Sequence, residues 1–142
     1  MNMFAVAGRR TSHLRTPNVL GIILMSLRVV LIAHVAAILT QAVLAGQFLS
    51  GVDSAVVVHE FTGWLVAGIC LVQIGLAMFA RASLWFVIGS VCVLFGEALQ
   101  LGTGYGRYLA VHIPLAVFVF GGVLSQLVWT FSSSFNLGRS YR

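Results

Sequence analysis

The sequence predicts an all-α integral membrane protein, an up-down-up-down four-helix bundle built from two repeated helical hairpins. Composition, the lengths of the apolar runs and an internal repeat predict this fold. Hydrophobic residues make up 60% of the 142 residues and charged residues only 8%, whereas about a quarter of the residues of a soluble globular domain are charged. The mean hydropathy is +1.04. Because so few polar side chains cannot cover a soluble globule, we expect the lipid bilayer to be the main partner.

Charge is sparse and almost entirely arginine. The chain has eight arginines and no lysine, set against Asp53, Glu60 and Glu97. The arginines flank apolar segments and do not line a face with interleaved aromatics, which favours membrane orientation over nucleic-acid binding. Cys70 and Cys92 lie in apolar runs without CxxC spacing. We therefore expect both to be buried structural thiols.

The apolar runs divide the chain into a basic tail at residues 1–18, a transmembrane domain at 19–131 and a second basic tail at 132–142. The first helix begins near Val19, and Arg28 is expected at the headgroups, which leaves residues 29–49 in hydrocarbon. The next three crossings are predicted at residues 55–80, 84–101 and 108–131. Runs of this length are helices because a single span must satisfy its own backbone polar groups in lipid.

The arginines predict the orientation of the bundle. If both tails and the turn at Arg81 share one side of the membrane, that side holds seven of the eight arginines, and the other side holds only Arg107. The positive-inside rule then places both termini in the cytoplasm. We expect a multi-pass protein of a prokaryotic inner membrane.

The repeat relates residues 41–68 to residues 97–121. Aligning His59 with His112, an offset of 53 residues, matches Gly63 with Ala116, Gly68 with Gly121 and Gln73 with Gln126. Before the turn the offset is 56 residues, and it matches Gln41 with Glu97 and Gly46 with Gly102. The pattern predicts two copies of one hairpin, each with a histidine just past its turn.

The paired histidines predict a cofactor site. Each lies about four residues into its helix, so both are roughly 6 Å inside the outer boundary. Two such histidines on diagonal helices could take the two faces of one b-type haem. The small residues expected to make room are Gly63, Ala116, Gly46 and Gly102, and Arg107 with Tyr105 and Tyr108 is expected to meet the propionates. The alternatives are interhelical hydrogen bonds and a weak zinc site that uses Glu60.

His34 is predicted about 22 Å from the outer end of the first helix, too deep to share the outer haem. A bonded core histidine or a polar group in a quinone pocket is the favoured interpretation. A second haem, with Met25 or Met78 as the other ligand, is the less favoured one.

Glu97 is a candidate because a carboxylate within a membrane span costs about 2.5 to 3.5 kcal/mol on insertion scales. We expect it to be protonated, or bonded to Gln41 or Gln100. It would serve either as a proton acceptor beside a redox centre or as a structural hydrogen bond.

The segments QAVLAG and EALQLG, each followed by a turn and then by VHEFTG or VHIPLA, resemble one four-helix half of the heme A synthase family. They are also similar to small four-helix membrane proteins of the same haem-b-like build. The resemblance covers residues 29–131 and implies that His59 and His112 face one haem. The family's catalytic glutamate precedes its histidine by three residues, a position held here by Val56, and Glu60 follows the histidine instead.

From these residues and the resemblance we expect a b-type cytochrome-like protein for one-electron transfer. Quinone or a larger redox complex would be its partner, and half the family's length implies a homodimer or a simple cytochrome. If the chain is an enzyme, the resemblance implies a membrane oxidoreductase. The alternative is a non-redox haem carrier, or a structural or assembly subunit of a membrane complex.

Overall fold

The structure, a computed structural model, describes residues 18–132 and Phe135. Its four helices are α1 (Val19–Leu49), α2 (Ser54–Phe79), α3 (Leu84–Tyr105) and α4 (Leu109–Trp129), and the described residues contain no strand. The predicted all-α class with four helices is confirmed. The main difference is that α3 continues to Tyr105, so most of the predicted third turn is helical. The two predicted tails lie outside the described residues, apart from residues 18, 132 and 135.

The three turns share one backbone geometry. Each helix from α1 to α3 is followed by a residue with positive φ, namely Gly51 at 95°, Arg81 at 54° and Arg107 at 56°. In every turn the next N–H bonds back to the fifth preceding carbonyl: Val52 to Gln47 at 3.0 Å, Ala82 to Ala77 at 2.9 Å and Tyr108 to Thr103 at 2.9 Å. These are Schellman motifs, which satisfy the last carbonyls of a helix within a short connection.

The core follows one spacing on all four helices. Helix α1 packs against α2 and α4, and α3 packs against the same two helices, so α1 is diagonal to α3 and α2 to α4. Buried residues recur at intervals of four, three and four. They are residues 27, 31, 34 and 38 of α1, 66, 70, 73 and 77 of α2, 86, 90, 93 and 97 of α3, and 119, 123, 126 and 130 in and just after α4. This spacing keeps one stripe of each helix facing the centre.

The outer surface is apolar. Large side chains such as Phe61, Trp85 and Phe118 are 73%, 73% and 78% exposed. All four helices are long and apolar enough to cross a membrane. The exposed apolar side chains are therefore placed to contact lipid, as expected of a multi-pass membrane protein.

Arg28 contacts the end of α4, and one of the two cysteines differs from its predicted burial. The headgroup position expected for Arg28 stays a prediction. Arg28 is half-buried: its Nη2 donates to the Thr130 carbonyl at 2.6 Å, and its guanidinium lies 4.3 Å from the Phe131 ring centroid. It thus places a cation at the C-terminal end of α4, where the helix dipole favours one. Cys70 is buried as predicted, but Cys92 is exposed, because it lies two residues after Ser90 and so falls off the buried stripe of α3.

Candidate functional site

His59 and His112 lie close together across the α2–α4 diagonal. Their ring centroids are 6.2 Å apart, and the ring planes are inclined at 61°. Both side chains are half-buried. The two histidines that the sequence alignment matched therefore lie side by side in the bundle.

The hydrogen bonds of the two rings determine which nitrogen carries the proton. His59 Nδ1 lies 3.1 Å from the Gln41 carbonyl, and His112 Nδ1 lies 3.1 Å from the Gln100 carbonyl. A carbonyl only accepts, so each Nδ1 donates its hydrogen. In the neutral imidazole the Nε2 atom then keeps its lone pair. Histidines that bind metals commonly donate the other ring nitrogen to a carbonyl in this way.

The small residues around the histidines are not equivalent. A Cβ on Gly63 would lie 3.3 Å from the Leu101 side chain, whereas a Cβ on Gly46 or Gly102 would meet nothing within 4 Å. Ala116 is half-buried. Gly63 is thus packed against α3, whereas the space beside Gly46 and Gly102 is open. The expectation that all four make room for a haem stays a prediction.

Gly104 is a site residue that sequence reasoning missed. A Cβ there would lie 3.2 Å from His112 Cε1, so the ring packs directly on the backbone of α3. Residues 102–107 were expected to form a turn, so a contact between helix α3 and His112 at this position was not predicted. A longer third helix would have placed Gly104 one turn after Gln100, whose carbonyl accepts from His112.

Tyr105, the last residue of α3, makes a second set of polar contacts with α2. Tyr105 Oη donates to Glu60 Oε1 at 2.8 Å and accepts from Trp64 Nε1 at 3.1 Å. Glu60 is exposed and bonded to α3, and Arg107 and Tyr108 are also exposed. The expected role of Arg107 at haem propionates stays a prediction.

A buried pair joins α1 to α3 deeper in the bundle. His34 Nε2 lies 2.7 Å from Glu97 Oε1, and the two side chains are 0% and 5% exposed. The expectation that Glu97 bonds Gln41 or Gln100 was wrong, because Gln41 donates to Thr62 and Gln100 donates to the His112 carbonyl.

His34 is the bonded core histidine of the favoured interpretation. Its Nδ1 lies 2.8 Å from Gln73 Oε1, and Glu97 engages its Nε2. Met25 and Met78, the ligands considered for a second haem, are 59% and 63% exposed. Both ring nitrogens of His34 are therefore already bonded, and neither methionine lies in the core.

Glutamine and serine side chains extend this pair to all four helices. Gln73 Nε2 donates to Gln126 Oε1, and it lies 3.2 Å from Ser90 Oγ. Ser90 Oγ lies 3.2 Å from Gln126 Oε1. Gln73 thus uses its amide nitrogen toward α3 and α4 and its carbonyl oxygen toward His34. We call His34, Cys70, Gln73, Ser90, Glu97 and Gln126 the polar core.

Unequal helix lengths explain why the pair was missed. The 31 residues of α1 extend about 46 Å at 1.5 Å per residue, beyond a hydrocarbon core of about 30 Å. His34 is at the midpoint of α1, and the 22 residues of α3 continue past Glu97 to Tyr105. The predicted depths of His34 and Glu97 were counted from the ends of two helices that do not end at the same level, so the two depths cannot be compared directly. The buried four-three-four spacing aligns the two residues better than the helix ends do.

No protein-family model, curated protein or solved structure matches this chain. The expected likeness to the heme A synthase family therefore remains a proposal that the residues themselves must support.

Proposed function

We propose that the protein is a b-type cytochrome of the membrane that holds one haem between His59 and His112 and transfers single electrons. One observation carries this proposal: the two imidazoles lie 6.2 Å apart on diagonal helices, each with its Nδ1 bonded to a backbone carbonyl. These bonds also link α2 to α1 and α4 to α3, and His112 Nδ1 lies 3.3 Å from Thr103 Oγ1 as well. In both neutral rings Nε2 keeps the lone pair that a metal would use.

The separation of the rings suits two imidazoles that would hold one metal between them. Metal–imidazole nitrogen bonds are about 2 Å long, so the two nitrogens would then be about 4 Å apart. Each ring centroid lies roughly 1 Å behind its nitrogen, which gives about 6 Å between centroids for two imidazoles sharing one metal. The observed 6.2 Å agrees with this distance.

Each of the residues around the two histidines has a specific role in the proposed haem site. The carbonyls of Gln41 and Gln100 hold the Nδ1 hydrogens and so fix the ring orientations and raise the basicity of Nε2. Gly104 lets the His112 ring approach α3. Arg107 offers a guanidinium for charge-assisted hydrogen bonds to propionates. The haem itself supplies the one-electron iron couple.

The repeat belongs to the same proposal. His59 pairs with His112, and Gln73 bonds Gln126, and both are pairs that the sequence alignment matched. This supports an up-down-up-down bundle of two equivalent hairpins, with a pseudo-twofold axis between α2 and α4. The distribution of arginines supports cytoplasmic termini in a prokaryotic inner membrane. Quinone, a larger redox complex or a second copy of the chain are the proposed partners.

Reduced-minus-oxidised absorption spectra of the detergent-purified chain test the proposal. We expect the sharp α band of a low-spin b-type haem. His59→Ala and His112→Ala should each lose the low-spin spectrum, and added imidazole should restore it if the variant is folded. His13→Ala serves as the matched histidine control and should leave the spectrum unchanged. A spectrum that survives both alanine substitutions would contradict the proposal.

The test also separates the alternatives. A haem carrier would show the same spectrum but release haem quickly to an apoprotein acceptor. An assembly subunit would be folded in detergent and show no haem spectrum at any haem concentration.

A further inference from the structure

The polar core contains three strong metal-ligand types from three helices. His34 of α1, Cys70 of α2 and Glu97 of α3 each offer one ligand atom, and these atoms lie within 4.8 Å of one another. All three side chains are buried. From this arrangement we propose a second site, a zinc-type divalent cation site in the polar core, independent of the proposed haem.

Glu97 has bonding capacity that the protein does not use. Its Oε1 contacts His34, but its Oε2 is buried and has no hydrogen-bond partner. A buried carboxylate oxygen without a partner is costly, and more so in a membrane span than elsewhere. A cation bound beside Cys70 would satisfy this oxygen.

The Cys70 thiol is also only weakly hydrogen-bonded. It makes one long hydrogen bond, 3.6 Å to the Ser90 carbonyl, and lies near the Glu97 carboxyl. A thiol is only a weak donor. To bind a metal the thiol would release its proton, and the proton shared between His34 Nε2 and Glu97 Oε1 would leave as well. The hydrogen bond that the sulfur itself gives up is the one to Ser90. Ligand atoms in a tetrahedral site with bonds of 2.0 to 2.3 Å are about 3.5 Å apart, so side-chain adjustments of roughly an ångström would complete the site.

Gln73 orients the histidine for ligation. Its Oε1 accepts from His34 Nδ1, and its amide nitrogen is held by Ser90 and Gln126. The bond at Nδ1 directs Nε2 toward the carboxylate and thiol, as the outer-shell partner of a metal-binding histidine does. Gln73 thus fixes the ring without being a ligand itself.

The ligand set selects the class of cation. A thiolate and a carboxylate carry two negative charges, which balance one divalent cation and leave a site without net charge in the low-dielectric interior. Sulfur and imidazole ligands favour Zn²⁺ and similar ions over Mg²⁺ and Ca²⁺, which prefer oxygen. Three protein ligands leave a fourth tetrahedral position for water or another small ligand.

Co²⁺ is the spectroscopic probe for this site. The haem-free full chain in detergent should bind one Co²⁺ with visible bands typical of tetrahedral cobalt and a thiolate-to-cobalt charge-transfer band, and Zn²⁺ should displace it. Cys92→Ser leaves Cys70 as the only cysteine and should keep the charge-transfer band. Cys70→Ser should lose the band and weaken Co²⁺ binding by about tenfold or more.

Each result decides the proposal. A wild-type chain without the charge-transfer band, or a Cys92→Ser chain that has lost it, overturns the polar-core site even if Cys70→Ser fails to fold. A band that persists in folded Cys70→Ser does the same. The combined change of His59→Ala and His112→Ala should leave the cobalt spectrum intact. The haem spectrum therefore tests the proposed haem site, and the cobalt spectrum tests the polar-core site independently of it.

Discussion

His34 Nε2 and Glu97 Oε1 lie 2.7 Å apart and join the diagonal helices α1 and α3, while His59 and His112 join the other diagonal, α2 and α4. The two contacts separate the bundle into an outer histidine pair and a buried polar core. Because each contact spans a diagonal, each constrains helices that pack little against one another directly. Polar bonds of this kind commonly hold membrane helices together.

The first prediction concerns the energy of the His34–Glu97 bond. A double-mutant cycle with His34→Ala and Glu97→Ala should give a coupling of about 1 to 2 kcal/mol, at the upper end for interhelical polar pairs in membranes. The free energy of unfolding in mixed detergent measures it. Thr40→Ala is the control, because Thr40 Oγ1 bonds only the Ala36 carbonyl of its own helix. Coupling near zero would mean that the two side chains do not meet.

A second prediction concerns the paired glutamines. Gln73→Leu should destabilise the protein by about 1 to 3 kcal/mol, because it leaves the buried hydrogen-bond partners of Gln73 unpaired. The double change with Gln126→Leu should cost less than the sum of the two single changes, since both amides then leave together. Gln47→Leu changes an exposed glutamine and should have little effect. Additive costs in thermal unfolding would argue against the bond between Gln73 and Gln126.

A third prediction tests how closely His112 packs on α3. Gly104→Ala places a methyl group 3.2 Å from His112 Cε1, so the ring must shift. We expect a weaker haem affinity, by about tenfold if the shift costs 1.4 kcal/mol. Gly121→Ala is the control because its Cβ would meet nothing within 4 Å. Haem titrations that do not distinguish the two variants would contradict the contact.

A fourth prediction concerns backbone strain in the α2–α3 turn. Arg81 has a φ of 54°, a conformation that costs side-chain-bearing residues about 1 kcal/mol and glycine almost nothing. Arg81→Gly should therefore raise the free energy of unfolding by up to about that amount. Arg81→Ala removes the same charge but keeps Cβ, and it should give no gain. Equal effects of the two changes would assign the difference to charge.

The sequence alone predicts the helices well and the polar core poorly. Apolar runs between polar turns locate the four helices, because a lipid-embedded span has to bond its own backbone. The end of α3 was missed because Gly102, Gly104 and Gly106 suggest a turn. Only the Schellman motif around Arg107 shows where the helix stops.

The sequence also predicted one part of the candidate site and missed another. The proposed repeat aligned His59 with His112, and the two rings lie together in the structure. It could not identify the partner of Glu97, because His34 belongs to no matched pair and the depths of α1 and α3 were counted from ends that are not level. The spacing of buried residues along one helix can be predicted from the sequence. The axial shift of one helix relative to another depends on side-chain packing, which the sequence does not show directly.

Stoichiometric haem titration of the purified chain, followed by absorption, tests the central claim most directly. The account predicts saturation at one haem per chain with a six-coordinate low-spin spectrum, and conversion to a five-coordinate high-spin spectrum when either His59 or His112 is replaced by alanine. Saturation at a different stoichiometry, or a low-spin spectrum that needs neither histidine, would contradict it.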